Sequence, residues 1–260
     1  MDIRTAIITG AYGAIGKAIA LGIAEAGHKV IMSGRNPGLL KQAADEVRQK
    51  TRNNNIIEAT TDLSLKENIA DLAQKVKSPV HILINNACTA PKQRTENKNG
   101  IEMQWAVNVM AYFYMMNEFF PHLSEANGSR IINVASYWAG GLDLKDPVFS
   151  MRRYNNDAAY RQSKQADRML TAYFSEKYQK YNITVNTCHP GDVNSKLSNS
   201  LGFGGSETPS QGADTPVWLA LSAQVKGITG KYFEHRQPVY CSFMKNKDEV
   251  NRLFELCSKY

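Results

Sequence analysis

Three residues in the second half of the chain have side chains suited to proton transfer at an oxygen atom. Tyr160 and Lys164 are four residues apart, so in a helix both project from the same face. Tyrosine ordinarily titrates near ~10, and a neighbouring ammonium group lowers that pKa by stabilising the phenolate. Ser136, at the end of an apolar run, adds a hydroxyl that can donate to a substrate carbonyl. The same Tyr-x-x-x-Lys spacing is also typical of a solvated helix face. The surrounding motifs must therefore decide between a catalytic pair and an ordinary surface.

A glycine-rich turn near the N-terminus indicates a second kind of site. The segment Thr9–Gly16 follows an apolar run and precedes an alanine-rich stretch of helical period. Glycines there allow a tight turn and a close approach of backbone to a pyrophosphate, and a helix N-terminus favours an anion. We predict a dinucleotide site, with a purely structural turn as the alternative.

The end of the second predicted strand indicates which dinucleotide binds. NAD-selective folds carry an acidic residue about 20 residues beyond the glycines, but none lies between Glu25 and Asp45. Arg35 can instead grip a 2′-phosphate in a bidentate pair, with Ser33 and Lys17 as helpers. NADP(H) is therefore predicted over NAD(H). The alternative is that Arg35 is an ordinary surface arginine.

Both candidate sites lie after predicted strands, so the fold must bring the ends of these strands together. Apolar, β-branched runs alternate with stretches of helical period, which is typical of β-α-β units. Strands are predicted at Ile3–Thr9, Lys29–Ser33, Ile56–Thr60, His81–Ile84, Ser129–Ala135, Ile183–Cys188 and Tyr232–Glu234. Helices are predicted at Ala14–Ala26, Gly38–Lys50, Leu65–Val76, Gly100–Leu123, Ala158–Tyr181, Ser210–Ser222 and Asp248–Ser258. The prediction is an α/β Rossmann fold, a doubly wound parallel sheet of about seven strands with helices on both faces and a ligand crevice at the carboxyl ends of the strands.

Length and composition narrow the remaining function classes. The 260 residues, 43% of them hydrophobic, suit a single domain over 1–260. The net charge of +7 comes from scattered basic residues, so we expect solvated surface charge and no nucleic acid partner. No signal peptide or integral membrane segment is expected, and we predict a cytoplasmic location. The four cysteines lie far apart, which predicts reduced thiols and no metal site.

The motifs together resemble the compact short-chain dehydrogenase/reductase family. The matching positions stand in the family's order and approximate spacing: Thr9-Gly10 with the glycine turn, Asp62-Leu63, Asn85-Asn86-Ala87, Asn108, Ser136, Tyr160, Lys164 and Pro190-Gly191. The resemblance runs from about Ile3 to the C-terminus. It implies an oxidoreductase in which the cofactor carries the hydride and the protein supplies placement.

The resemblance also implies a role for each matching residue. Tyr160 exchanges the proton, Ser136 holds the substrate oxygen, Lys164 lowers the tyrosine pKa and binds the nicotinamide ribose, and Asn108 supports a water in a proton relay. The residues expected to bind the cofactor are Gly10, Tyr12, Gly13, Ala14, Ile15, Gly16, Ser33, Arg35, Asp62, Leu63, Asn86, Ala87, Tyr160, Lys164, Pro190, Gly191, Val193 and Ser195.

Two positions depart from the family pattern. Ala14 stands where compact members usually have their second glycine, and Gly13 gives the spacing of the extended branch. That branch adds a larger substrate domain, for which the chain leaves little room, so we keep the compact assignment. Cys88 replaces the glycine that usually follows Asn-Asn-Ala. A role for Cys88 as a reactive thiol is the less favoured interpretation of this departure.

Two segments are predicted to form the walls of the substrate pocket. The first wall, residues 137–157, holds Tyr137, Trp138, Leu142, Leu144, Phe149 and Met151, and the second, residues 196–211, holds Leu197, Leu201 and Phe203. The glycine-rich pattern of the second wall predicts a lid that orders over bound cofactor. Apolar walls favour an apolar ligand, although each side chain can equally pack locally.

Sequence features outside the core motifs are similar to the retinol-dehydrogenase and WW-domain-oxidoreductase branch. They are the long segment before Tyr160, residues 189–193 and 230–233, and the tail 248–256. The similarity implies an apolar carbonyl, or a primary or secondary alcohol, as substrate of a carbonyl reductase or alcohol dehydrogenase that uses Tyr160 as general acid/base. The alternative function is a non-catalytic NADP(H)-binding sensor or scaffold.

The role of His189 and the packing partner of one apolar helix are two further points on which the sequence gives an expectation. His189 is expected to be structural, because Tyr160 already fills the acid/base role. The helix that carries Trp105, Val109, Tyr112, Phe113 and Met116 buries an apolar face in the core or against a second subunit. Both a monomer and a homo-oligomer therefore remain open.

Overall fold

The computed structural model describes residues 3–260, which contain one eight-stranded sheet in the order β3-β2-β1-β4-β5-β6-β7-β8. The strands are β1 Thr5–Thr9, β2 Lys29–Gly34, β3 Ile56–Thr60, β4 Ile82–Asn85, β5 Arg130–Val134, β6 Thr184–Cys188, β7 Tyr232–Glu234 and β8 Gln237–Val239. All pairs are parallel except β7 with β8. The predicted doubly wound Rossmann fold is confirmed, with one strand more than expected.

Nine α-helices flank this sheet within residues 3–260. They are α1 Ala14–Glu25, α2 Pro37–Thr51, α3 Lys66–Lys75, α4 Ala111–Glu118, α5 Phe120–Glu125, α6 Asn156–Tyr178, α7 Lys196–Ser200, α8 Pro209–Leu221 and α9 Lys247–Cys257. One core layer packs α1, α2 and α8 on the sheet, and the other packs α3, α4, α6 and α9. Local signals set several boundaries: Asn36 and Asn155 accept from backbone N–H groups at the starts of α2 and α6.

The strand order places the ligand crevice between β1 and β4. β1 pairs with β2 on one side and β4 on the other, and all five of its residues are buried. From this centre the chain winds outward in opposite directions, so the loops after β1 and β4 diverge. Such a divergence opens a crevice at the carboxyl ends of the strands.

Three elements differ from their predicted forms. The helix predicted over Gly100–Leu123 begins with a π-helical segment, Trp105–Met110, and continues as α4 and α5. β8 was missed because it is exposed and contains Pro238, so it lacks the periodic signal of a buried strand. α7 was missed because it lies inside the glycine-rich lid, where serine side chains cap a helix of five residues.

The helix face with the large apolar side chains packs inside the chain. Trp105, Val109 and Met116 are buried, and Phe254 of α9 lies 5.5 Å from Phe113, ring centroid to centroid. Phe254 also stacks on Tyr173 of α6 at 3.7 Å. Of the two predicted places for this face, the structure favours the core. Within residues 3–260, every helix is too short or too polar to span a bilayer.

Candidate active site

A cavity of about 410 Å³ opens at the carboxyl ends of the first four strands. Twelve of the residues predicted to bind the cofactor line it: Gly10, Tyr12, Gly13, Ala14, Ile15, Gly16, Arg35, Asp62, Leu63, Asn86, Ala87 and Ser195. They come from the glycine turn, the ends of β2, β3 and β4, and the start of the lid. The fold therefore brings together residues that are far apart in sequence.

Close packing fixes the glycine turn against the end of β4. Gly10 has φ of +64°, and a Cβ there would lie 2.8 Å from the Cα of Ala87. A Cβ on Gly16 would lie 2.3 Å from the carbonyl oxygen of Gly10. The Thr9 hydroxyl accepts hydrogen bonds from the amides of Asn86 at 2.8 Å and Ala87 at 3.0 Å. Neither glycine position has room for a larger side chain.

The N-terminus of α1 suits an anion. Its N-cap is Gly13, which offers no side-chain cap, and the first turn contains no acidic residue. The first amide groups of a helix have no intrahelical acceptor, and the helix dipole favours negative charge beside them. This uncapped end, together with the adjoining cavity, fits the pyrophosphate of a dinucleotide.

The three residues predicted to hold a 2′-phosphate lie in different surroundings. Arg35 is exposed at the rim of the cavity, and within residues 3–260 no carboxylate forms an ion pair with it. Ser33 is fully buried and, among the described residues, its hydroxyl has no hydrogen-bond partner, so its role as a phosphate ligand stays a prediction. Lys17 forms an ion pair of 2.6 Å with Glu46 and does not line the cavity. Of these three residues, only Arg35 lines the cavity.

Ser136 and Tyr160 line a smaller cavity, of about 50 Å³, that continues from the larger one. Pro190, Gly191, Val193 and Ser195, which are predicted to bind the cofactor, also line it. Tyr160 is 7% exposed. Burial raises the pKa of Tyr160 to about 12, the nearby Cys88 thiol acts in the same direction, and the Lys164 ammonium and a hydrogen bond from Ser136 oppose the rise.

Lys164 lies behind Tyr160 and is 1% exposed. Its Nζ donates to the carbonyl of Val134 at 3.1 Å and to Oδ2 of Asp167 at 2.9 Å. Burial alone would lower the pKa of Lys164, but the Asp167 carboxylate outweighs this effect and holds the pKa well above its usual value. The lysine is charged and close to the tyrosine, as the helical spacing predicts.

Asn108 lies in the π-helical segment and connects three elements. Its Nδ2 donates to the carbonyl of Thr89 at 3.0 Å and to the hydroxyl of Ser163 at 3.1 Å, and its Oδ1 accepts from the amide of Thr89 at 2.8 Å. Single π-helical turns within α-helices are frequent at functional sites. Asn108 therefore fastens the loop after β4 to the helix of Tyr160.

The sequence profile described as short chain dehydrogenase matches residues 4–202, more than half of the chain. The chain belongs to the short chain dehydrogenase family. It is 32% identical over 251 residues to retinol dehydrogenase 13 of Mus musculus, an alignment covering 89% of this chain and 75% of the relative. The predicted similarity to the retinol dehydrogenase branch is thus confirmed, and the chain is an oxidoreductase by family.

Solved structures share the fold of this short chain dehydrogenase. An uncharacterized protein from Mycobacterium Paratuberculosis superposes with a TM-score of 0.83 at 24% identity, covering 98% of this chain and 92% of that one. A protein from Beutenbergia cavernae, described as an NAD(P) dependent gluconate 5-dehydrogenase with bound NADP at low occupancy, gives a TM-score of 0.72 at 27% identity and covers 88% and 94%.

The two predicted substrate walls of the dehydrogenase meet above the smaller cavity. Tyr137 and Trp138 of the first wall and Leu197, Leu201 and Phe203 of the lid line it. Trp138 and Phe203 make an edge-to-face contact at 5.1 Å between ring centroids. The lid thus touches the first wall directly.

The other apolar side chains of the first wall do not line the smaller cavity. Leu142 and Leu144 pack against the core, Phe149 is buried, and Met151 is 74% exposed. The reason is a turn around the Asp146 carboxylate, which accepts hydrogen bonds from the amides of residues 150, 151 and 152. This turn directs the segment's middle away from Tyr160.

Sequence reasoning missed Asp167 and Arg168, and it assigned Thr9 no role of its own within the glycine turn. Thr9 fastens the glycine turn, Asp167 pairs with Lys164, and Arg168 donates to the carbonyl of Ser136 while its guanidinium lies 3.6 Å from the Tyr232 ring. Asp167 and Arg168 follow Tyr160 by seven and eight residues and therefore share its helix face. Charged residues at positions that the helical period assigns to the core were the available signal.

Two other side chains lie near the site with altered pKa values. Cys88 lines the larger cavity, and burial raises the pKa of its thiol, which disfavours the reactive thiolate. Burial, with His235 and Arg168 nearby, lowers the pKa of His189 to about 4. His189 is therefore neutral at physiological pH and packs against Tyr137 at 4.7 Å.

Proposed function

We propose that this chain, acting as one domain over residues 1–260, is an NADP(H)-dependent oxidoreductase that interconverts an apolar carbonyl and its alcohol. The observation that carries the proposal is the position of Tyr160 and Ser136 in the small cavity that continues from the dinucleotide-shaped one. Ile15, Ser195 and Leu197 line both cavities. A substrate beside Tyr160 would therefore adjoin a cofactor in the larger cavity.

The residues of the glycine turn and the strand ends that line the larger cavity would hold a nicotinamide dinucleotide, which would give a hydride to the carbonyl carbon or take one from the alcohol carbon. During reduction the O–H bond of Tyr160 breaks, its proton goes to the substrate oxygen, and the phenolate later takes a proton from solvent. The Ser136 hydroxyl donates a hydrogen bond to the same oxygen, and Lys164 stabilises the transient phenolate. During oxidation the Tyr160 phenolate accepts the proton of the alcohol.

Three observations support NADP(H) as the cofactor. Arg35 stands free at the cavity rim, the end of β2 carries no acidic residue, and the relative from Beutenbergia cavernae has bound NADP. A guanidinium and a phosphate form strong bidentate pairs, whereas a carboxylate at this place would repel a 2′-phosphate.

The lining of the smaller cavity supports an apolar substrate. Trp138, Leu197 and Phe203 present apolar surface beside Tyr160. Relatives with names that specify a substrate class, retinol dehydrogenase 13 and a human polyprenol dehydrogenase at 28% identity, both refer to apolar alcohols. We therefore propose a hydrophobic aldehyde, ketone or alcohol.

The test is NADPH oxidation by the purified protein with a panel of apolar aldehydes and ketones. We expect turnover that Tyr160→Phe lowers by at least about 100-fold, the scale of positioned acid–base catalysis, while the variant still binds the cofactor. Tyr181→Phe, at an exposed position between the end of α6 and the start of β6, is the control. Full turnover by Tyr160→Phe would refute the proposed acid/base. Tight cofactor binding without turnover on any carbonyl would instead support a sensor or scaffold.

A further inference from the structure

A buried ion pair stands directly behind the proposed acid/base. Lys164 and Asp167 are separated by one turn of α6, their side chains are 2% and 0% exposed, and Nζ lies 2.9 Å from Oδ2. Lys164 makes its other hydrogen bond to the carbonyl of Val134, at the end of β5. The ammonium is therefore held between a carboxylate and the strand that leads to Ser136.

The groups that face this pair come from several elements. Tyr112 of α4 has its ring 5.1 Å from Nζ and donates its hydroxyl to the Val134 carbonyl at 3.2 Å. The other titratable or charged groups near the pair are Cys88 after β4, Tyr160 and Arg168 on α6, and Cys257 on α9. Burial raises the pKa of Asp167 to about 7, and the Lys164 ammonium opposes that rise. Once ionised, Asp167 supplies the negative charge of this set, and Lys164 and Arg168 supply the positive charges.

Burial raises the free-energy cost of these charges and strengthens the electric field that they exert on their neighbours. An ion in the protein interior loses several kcal/mol of hydration, and its field is screened less than in water. Within residues 3–260, Oδ1 of Asp167 has no hydrogen-bond partner, so the carboxylate is incompletely compensated. A hydrophobic residue in its place would often be at least as stabilising. The pair therefore calls for an explanation other than stability.

We propose that Asp167 is a positioning residue that holds the Lys164 ammonium and offsets its charge, so that Tyr160 keeps its proton at neutral pH and the site favours carbonyl reduction. The inference rests on the proposed role of Tyr160. Reduction begins with a protonated tyrosine, whereas oxidation requires the phenolate. A carboxylate beside the lysine weakens the field that would stabilise that phenolate. The raised pKa of Tyr160 arises first from burial, and Asp167 contributes in the same direction.

The primary test is the tyrosinate absorbance titration of the folded protein, with the Tyr160→Phe curve subtracted to isolate Tyr160. Asp167→Asn keeps the shape and an acceptor oxygen but removes the charge. We expect the Tyr160 transition to move down by about one pH unit or more. Alcohol oxidation at neutral pH should then rise about tenfold, because the phenolate fraction rises by that factor. Glu176→Gln, which makes the same chemical change in an exposed ion pair on α6, should leave the transition in place.

Two further measurements keep the inference falsifiable if Asp167→Asn does not fold. Asp167→Ser is a second neutral variant, for which the same downward movement is expected. In the unmutated protein, alcohol oxidation should keep rising with pH well above neutrality, and a maximum already at pH ~7 would refute the inference. A transition that stays in place in a folded neutral variant would reduce Asp167 to a structural residue.

The same data separate this inference from the proposed function. If the transition moves but no carbonyl or alcohol is turned over, the charge effect stands and the proposed function fails. If Tyr160→Phe abolishes turnover but the neutral variants leave the transition in place, the function stands and the inference fails.

Discussion

The two ends of the active-site crevice are built on different physical principles. The cofactor end depends on shape: Gly10 and Gly16 let backbone segments touch, and Arg35 stands exposed at the rim. The proton-transfer end depends on buried charge, with Lys164 and Asp167 paired behind Tyr160. The first end should therefore be sensitive to added atoms, and the second to pH and to the loss of charge.

The largest expected effect concerns His189 at the proton-transfer end. Burial lowers its pKa from 6.5 to about 4, so between these values the unfolded chain binds a proton that the folded chain does not. The free energy of unfolding should fall by about 3 kcal/mol as the pH drops through this window. Urea unfolding at several pH values measures it.

The His189 contribution is isolated by comparing variants. His189→Gln should show a weaker loss of stability over the same pH range. His235→Asn, at an exposed position in a left-handed conformation that Asn tolerates, removes only the smaller contribution of His235 to the lowered pKa of His189 and should keep most of the loss. An unchanged pH slope in His189→Gln would place the acid sensitivity elsewhere and weaken the contrast between the two ends.

The next effect is expected at the cofactor end. In Gly16→Ala the new methyl group would meet the Gly10 carbonyl at 2.3 Å, so the turn must shift. We expect up to about 100-fold weaker NADPH binding, or about 2.7 kcal/mol, measured by fluorescence titration. Gly38→Ala on α2, where the added methyl group finds only an ordinary contact at 3.5 Å, is the control. Equal NADPH affinity in Gly16→Ala and Gly38→Ala would show that cofactor binding does not depend on the close packing of the glycine turn.

A smaller effect is expected from Arg35, which stands exposed at the rim of the cofactor end. Arg35→Asp should lower kcat/KM with NADPH relative to NADH by roughly ten- to a hundredfold, the loss of a charge-assisted hydrogen bond of about 1.5–3 kcal/mol. Arg52→Asp changes the net charge equally at an exposed position outside the cavity. Equal use of both cofactors by the unmutated protein would contradict the role of Arg35.

The sequence predicted the frame and most positions of the crevice because both leave local signals. The apolar runs gave seven of the eight strands within about two residues, and the glycine turn was placed correctly between β1 and α1. The burial of Ser33, the partners of Asn108 and the turn around Asp146 depend on contacts between distant segments. No periodicity encodes such contacts, so they became visible only in three dimensions.

The contact between Trp138 and Phe203 has a consequence for the timing of the catalytic cycle. The two rings meet across the cavity that holds Tyr160, so they must separate whenever a substrate-sized molecule enters or leaves. An aromatic pair of this kind contributes about 0.5–1.5 kcal/mol beyond the area it buries. The strength of this aromatic contact therefore helps to set how long product stays bound. A stronger contact would slow product release without changing the rate of proton transfer at Tyr160.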